Sequence, residues 1–236
     1  MAAVNLRSNA LNVLITGANR GIGLSLAKQF HNNGYNVIGT SRKTDAATIA
    51  DLSAVAVAVV PLDVADEASI SALPDRVRAY VPHLDVVVNN AGMYLQDKFG
   101  ELNATDLLTQ FRVNSVAPLL VAQALLPSLR ASPNAAKKIV HITSRMGSIA
   151  DNTSGGSYGY RASKCALNML NASLAQDVKD VTCIALHPGY IQTRMTSGSG
   201  DMDADECARR LFKVIHGATH AQTGQFLHRD GQVLPW

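Results

Sequence analysis

The sequence predicts an α/β fold: one parallel sheet, doubly wound with helices on both faces, forming a single domain over residues 1–236. Three observations predict it. Short runs such as Val13-Leu14-Ile15 and Val86-Val87-Val88 are apolar at successive positions, which buries both faces of a strand, as happens where helices cover a sheet on each side. Longer stretches with helical apolar spacing alternate with these runs along the whole chain. No proline- or serine-rich linker and no internal repeat interrupts the alternation.

The first strand is expected at 12–16, followed by a glycine-rich turn and a helix over 22–30 that stops near Gly34. Further strands are expected at 37–40, 55–60, 85–89, 138–142 and 181–186, with a last one at 225–228. Helices are expected over 67–80, over 106–130 with a bend near Pro118, over 158–179 and over 205–216. Two Gly- and Ser-rich segments, 151–157 and 196–203, follow strands. Ligands in such sheets bind beyond the carboxyl ends of the strands, so both segments are candidate walls of a cleft.

Composition excludes several classes. With 47% hydrophobic and 17% charged residues, the chain is not a disordered one, and 236 residues bury a full core without covalent staples. Three cysteines with no CxxC spacing argue against a disulfide framework or a metal site and fit a reducing, cytoplasmic compartment. The net charge of +3 is thinly spread and forms no stripe for nucleic acid. Residues 1–9 lack a continuous apolar stretch, and no segment has the length of a membrane span.

The segment Thr16-Gly17-Ala18-Asn19-Arg20-Gly21-Ile22-Gly23 lies between the first strand and the first helix. Glycines there allow a tight turn and a close approach to a pyrophosphate, with free N–H groups of the helix facing the anion. Three residues separate the first two glycines, a departure from the usual dinucleotide fingerprint, and the position between strand and helix carries the reading beyond that of an ordinary turn. An acid at the end of the second strand would grip the ribose 2′-hydroxyl of NAD. That region here reads Thr40-Ser41-Arg42-Lys43, and Arg42 with Arg20 suits a 2′-phosphate instead, which favours NADP (NADPH).

Tyr160 and Lys164 are four apart near the start of a predicted helix and share a face. An ammonium beside a phenol favours phenolate and makes a proton donor and acceptor near neutral pH. Tyr158 is a rival, but four residues on from it stands Ala162. Ser144, just after the fifth strand, is either a turn residue or a hydroxyl aimed at a substrate carbonyl. Asn114, inside a helical stretch, is either a buried polar bridge or the holder of a water.

In order and spacing these residues resemble the short-chain dehydrogenase/reductase family over essentially the whole chain. The match runs from the glycine turn through Asp63, Asn89-Asn90-Ala91-Gly92, Asn114, Ser144, Tyr160-xxx-Lys164 and His187-Pro188-Gly189 to Thr193. Ser144-Arg145-Met146-Gly147-Ser148-Ile149, Tyr158 to Lys164 and the ending Asp230 to Trp236 are similar to the C-factor-like and sniffer-like carbonyl reductases. The resemblance implies a Rossmann-type sheet and hydride transfer between NADPH and a small-molecule carbonyl. It implies Tyr160 as proton donor, Lys164 lowering the Tyr160 pKa and holding the nicotinamide ribose, Ser144 polarising the carbonyl, and Asn114 holding a water toward Lys164. Gly17, Asn19, Arg20, Gly21, Ile22 and Gly23 would hold the pyrophosphate side, with Ser41 and Arg42 at the 2′ position. Asp63 and Val64 would flank the adenine, Asn90, Ala91 and Gly92 the ribose side, and Pro188, Gly189, Ile191 and Thr193 the carboxamide. Tyr94, Met146, Tyr190 and Met195, beside these motifs, are the candidate substrate contacts, and a homodimer or homotetramer is implied. Some relatives of this subgroup are signalling proteins, so a nucleotide-binding sensor of the same fold is the second reading, and alcohol oxidation with NADP a third.

Replacing Arg42 by Asp together with Arg20 by Ala is expected to move preference toward NADH. The ratio of kcat/KM for NADPH over NADH measures it, and an unchanged ratio means that these arginines do not read the 2′-phosphate.

Overall fold

The computed structural model describes residues 6–236, so the reading of residues 1–9 falls partly outside the described residues. Strands β1 (Asn12–Ile15), β2 (Asn36–Ser41), β3 (Ala58–Pro61), β4 (Val86–Asn89), β5 (Lys138–Ile142), β6 (Thr182–His187) and β7 (Phe226–His228) form one parallel sheet. Their order is β3-β2-β1-β4-β5-β6-β7. The chain winds outward from β1 in one direction, returns, and winds outward from β4 in the other.

Helices α1 (Gly21–Asn32), α2 (Ala46–Ser53), α3 (Glu67–Ser71), α4 (Leu73–Arg78), α5 (Ala104–Phe111), α6 (Ala117–Arg130), α7 (Tyr158–Asp177) and α8 (Ala204–Gly217) connect and cover the strands. Alternate strand residues serve different cores. Val13 and Ile15 pack with Leu26 and Phe30 of α1 and with Leu211 and Ile215 of α8. Leu14 and Val87 pack on the other face with Val77 of α4 and with Val121, Leu125 and Leu129 of α6. Among the described residues no helix is long and apolar enough to cross a membrane.

Four elements depart from the sequence expectations, each for a local reason. Helix α2 was not anticipated; it buries only Leu52, and its signal is the cap, since the Asp45 carboxylate accepts the Thr48 N–H at 3.0 Å. Strand β3 begins at Ala58 rather than at 55, because the N–H groups of Val55 and Ala56 both turn back to the Leu52 carbonyl. The helix expected over 67–80 divides at Ala72, just before Pro74, whose ring nitrogen has no hydrogen to give to Ile70. The bend near Pro118 is a π-helical turn over Arg112–Val116 between α5 and α6. Pro118 has no N–H for the Asn114 carbonyl four residues back, and widening by one residue accommodates that loss.

A buried carboxylate ties the amino ends of the central strands together. Asp85, at the entrance to β4, accepts the Asn12 N–H at 2.7 Å and the Ser132 hydroxyl at 2.5 Å. Asp85→Ala would leave both donors buried without an acceptor, and is expected to lower unfolding free energy by about 3 kcal/mol. Urea denaturation measures this, and a loss well below about 1 kcal/mol would mean that solvent or the neighbouring chain replaces the carboxylate.

Candidate active site

The glycine turn sits where β1 and β4 end side by side. The Thr16 hydroxyl oxygen accepts the N–H groups of Asn90 and Ala91, each at 3.0 Å, and the Asn90 amide donates to the carbonyls of Thr16 and Gly17 at 2.9 and 3.2 Å. On the other side the Ala18 N–H reaches the Thr40 carbonyl of β2 at 2.9 Å. Gly17 turns with φ +63, a conformation that side chains disfavour. A Cβ on Gly23 would collide with the Gly17 carbonyl oxygen and the Asn90 amide, so α1 packs this close only on glycine. Helix α1 starts at Gly21 without a side-chain cap, which leaves its first N–H groups for an outside acceptor. Turn, close approach and uncapped helix end together fit a dinucleotide pyrophosphate.

The expected cofactor residues divide into groups facing the ligand space and groups that build its walls. Arg20 and Arg42 are exposed and make no ion pair among the described residues, while the Ser41 hydroxyl is turned to the Lys43 carbonyl at 2.7 Å. Asp63 caps its own turn through the Ala65 N–H at 2.9 Å, and Val64 packs beneath. Asn90 is spent on holding the glycine turn. Thr193 closes from the far side, its methyl group 3.6 Å from where a Gly21 Cβ would lie. Ile191 is buried and bridges Met202.

Ser144, Tyr160, Lys164 and Asn114 converge beyond the ends of β4 and β5. Tyr160 and Lys164 lie on α7, and the Lys164 ammonium is 5.8 Å from the Tyr160 ring centre. That ammonium donates to the Ile142 carbonyl at 2.9 Å. Burial pushes the Lys164 amine down to about 8 and the Tyr160 phenol up to about 12, the Ser144 hydroxyl pulling the phenol the other way. The lowering of the Tyr160 pKa expected from Lys164 is not what the protein alone gives: desolvation dominates and raises the phenol. Ser144 fulfils the first of its readings: its oxygen accepts the Met146 N–H at 3.2 Å, capping the turn at Arg145–Gly147, and its hydroxyl lies beside the Tyr160 phenol.

Asn114 sits in the π-helical turn and bonds the Met93 backbone in both directions, each at 2.9 Å, and the Ser163 hydroxyl at 3.1 Å. Both amide hydrogens are thus committed. The space beside Gly92, however, lies 3.2 Å from Asn114 Oδ1 and 3.8 Å from Lys164 Nζ, measured from where a Cβ would stand. A side chain there would crowd the Asn114 oxygen, so glycine keeps the approach between the two groups clear.

Sequence reasoning missed Asp97. Its two carboxylate oxygens accept the N–H groups of Tyr158 and Gly159 at 2.6 and 2.7 Å, capping α7 two residues before Tyr160. The separation of 61 positions between Asp97 and Tyr158 hides this contact from any local pattern. Tyr94 meets Tyr160 edge to face at 5.4 Å, and Met146 and Tyr190 line a cavity of about 370 Å³ that reaches Ser144. Met195, on the turn at Arg194–Thr196, is exposed and outside that lining. Arg229 and His228 of β7 and its following turn line the cavity too, a contribution that the sequence did not reveal.

This fold and site define an oxidoreductase class: the short chain dehydrogenase family model matches residues 11–204, and the chain belongs to that family. It is 36% identical over 231 residues, 95% of this chain and 99% of the relative, to 1-hydroxy-2-glutathionyl-2-methyl-3-butene dehydrogenase of Rhodococcus sp. (strain AD45). It is 38% identical to C-signal of Myxococcus xanthus over 65% of this chain and 93% of that protein. Among solved structures it is similar to the carbonyl reductase Sniffer of D. melanogaster, with TM-score 0.91, 29% identity and coverage of 97% and 100% of the two chains. The NADPH-bound carbonyl reductase from chicken fatty liver gives TM-score 0.88 and 31% identity over 96% and 99%.

Lys164 is a base whose pKa is lower in the folded than in the unfolded chain, so its charge opposes folding. The penalty, about 3 kcal/mol, is complete below pH 8 and fades as pH rises from 8 toward 10.5. Lys164→Met is therefore expected to raise the melting temperature at pH 7 more than at pH 10. An equal change at both would mean that the amine is not desolvated.

Proposed function

We propose that this protein reduces a small-molecule ketone, aldehyde or quinone to the alcohol or hydroquinone with NADPH, Tyr160 giving the proton. The observation that carries the reading is geometric: the Lys164 ammonium lies 5.8 Å from the Tyr160 ring centre and a cavity reaches Ser144, while burial raises the Tyr160 phenol and so favours the protonated form that donates to a carbonyl oxygen. Oxidation of an alcohol would need the phenolate first. The Ser144 hydroxyl would donate to the same oxygen and orient it. Lys164, by its charge, would stabilise the phenolate left after transfer, and the space between Lys164 and Asn114 would hold the water that returns a proton to the site. The Asp97 cap keeps the first turn of α7, and with it Tyr160, in place.

Nicotinamide, when bound, supplies the hydride, and the protein supplies position and the proton. Gly17 to Gly23 would hold the pyrophosphate, Asp63 and Val64 the adenine, and Pro188, Gly189, Ile191 and Thr193 the carboxamide. Exposed Arg42, just past β2 where an acid would favour NAD, and exposed Arg20 in the glycine turn, neither in an ion pair among the described residues, support the phosphorylated cofactor. The whole chain acts as one domain in this reading, in a reducing cytoplasm. Exposed Leu108 and Phe111 on α5 and Met169 on α7 support pairing through these helices as a homodimer or homotetramer.

Similarity to a protein named C-signal favours a second reading, a nucleotide-binding signalling protein. Turnover discriminates between the two. With a reactive dicarbonyl or quinone as substrate, Tyr160→Phe is expected to slow NADPH oxidation at least about 100-fold while NADPH still binds. Tight NADPH binding by the native protein without turnover across a broad carbonyl panel would select the signalling reading.

A further inference from the structure

We propose that the cavity beside Ser144 is an oxyanion subsite built on Arg229, and that the preferred substrates carry a carboxylate at the end remote from the reacting carbonyl. The proposal deepens the reductase reading and rests on it for the placement of the carbonyl at Ser144.

Arg229 stands just past β7, beside the carboxyl end of β6, because His187 and His228 are register partners. Its guanidinium donates to the Pro188 carbonyl at 3.0 Å, while the buried Nε has no partner. Among the described residues no carboxylate pairs with it. A guanidinium has five N–H donors in a planar fork, and Nη2 has no partner among the described residues and is not enclosed, so this side chain is poised for an acceptor from outside the protein. The place is built for it. Gly189 turns with φ +97, and a Cβ there would overlap Arg229 Nη1, so only the bare backbone lets the guanidinium lie over the loop.

The remaining polar groups of the cavity leave Arg229 as its anion receptor. Arg145 is neutralised by Asp151 at 2.6 Å. His187 Nδ1 accepts the N–H groups of Arg145 and Gly189 at 3.1 and 3.4 Å, which leaves the proton on Nε2 as a further donor. The His228 ring lies 5.6 Å from it and pairs with Asp230 at 3.2 Å. Asp201 is the acidic group of the lining, but it is exposed and its charge stays in water, whereas Arg229 is half-buried. A cavity of about 370 Å³ with Ser144 in its wall holds a small molecule whose carbonyl meets Ser144 while its carboxylate meets the guanidinium fork.

The test is titration calorimetry on the NADP⁺-loaded protein with 4-carboxybenzaldehyde and its methyl ester, methyl 4-formylbenzoate. The acid is expected to bind at least about tenfold more tightly than the ester, in line with one charge-assisted fork. Arg229→Gln should abolish this ratio and Arg229→Lys should keep part of it; taking the ratio within each variant cancels any effect on the Gly189 loop. Equal binding of acid and ester, no binding of the acid, or a ratio that survives in Arg229→Gln overturns the proposal. NADPH oxidation by the same aldehydes is followed separately. Acid-selective binding without turnover would count against the reductase reading and leave the subsite standing.

Discussion

Everything in the site depends on the parting of the chain between β1 and β4. Successive right-handed crossovers carry β2 and β3 to one side and β5 to β7 to the other, so the connections leaving β1 and β4 run to opposite faces and open a crevice at the strands' carboxyl ends. Past the strand ends the ladders stop and the backbone needs other partners. Thr16 and Asn90 meet that need by bonding across the gap, which makes the glycine turn and the Asn90–Gly92 segment one rigid floor.

On that floor the chemistry is held by polar groups whose burial opposes folding. Lys164 and Tyr160 are both pushed away from their charged forms by desolvation, and the protein offsets this with a single carbonyl for the amine and a hydroxyl for the phenol. Such a site costs stability, and the surrounding scaffold supplies it: two apolar cores, an aspartate beneath β1 and β4, and the cap on α7. Glycine recurs wherever backbone must approach backbone or a functional group, as at Gly23 under the turn and Gly189 under Arg229.

The doubly wound sheet was legible because parallel strands buried on both faces leave an unbroken apolar run, and because a glycine turn between strand and helix has few other uses. The candidate site was legible through Tyr160 and Lys164, whose spacing of four is a local property of the helix that holds both. Other elements were hidden for reasons of the same kind. Helix α2 buries one side chain and carries almost no periodic signal. The division of 67–80 and the π turn before Pro118 follow from missing proline N–H groups, and residue type alone did not say whether the chain would bend, break or widen there.

By itself, then, the sequence determined the fold class and the family, and it singled out the glycine turn and the Tyr160–Lys164 pair as candidates, since each is written in spacings of a few residues. Tertiary structure decided the rest. Asp97 reaches α7 across 61 residues, and Arg229 reaches Pro188 across 41, through strand register rather than sequence proximity. It also decided how the groups titrate, because desolvation depends on everything packed around an atom. The lysine spacing marked Tyr160 as a proton donor and acceptor near neutral pH, whereas burial raises its phenol.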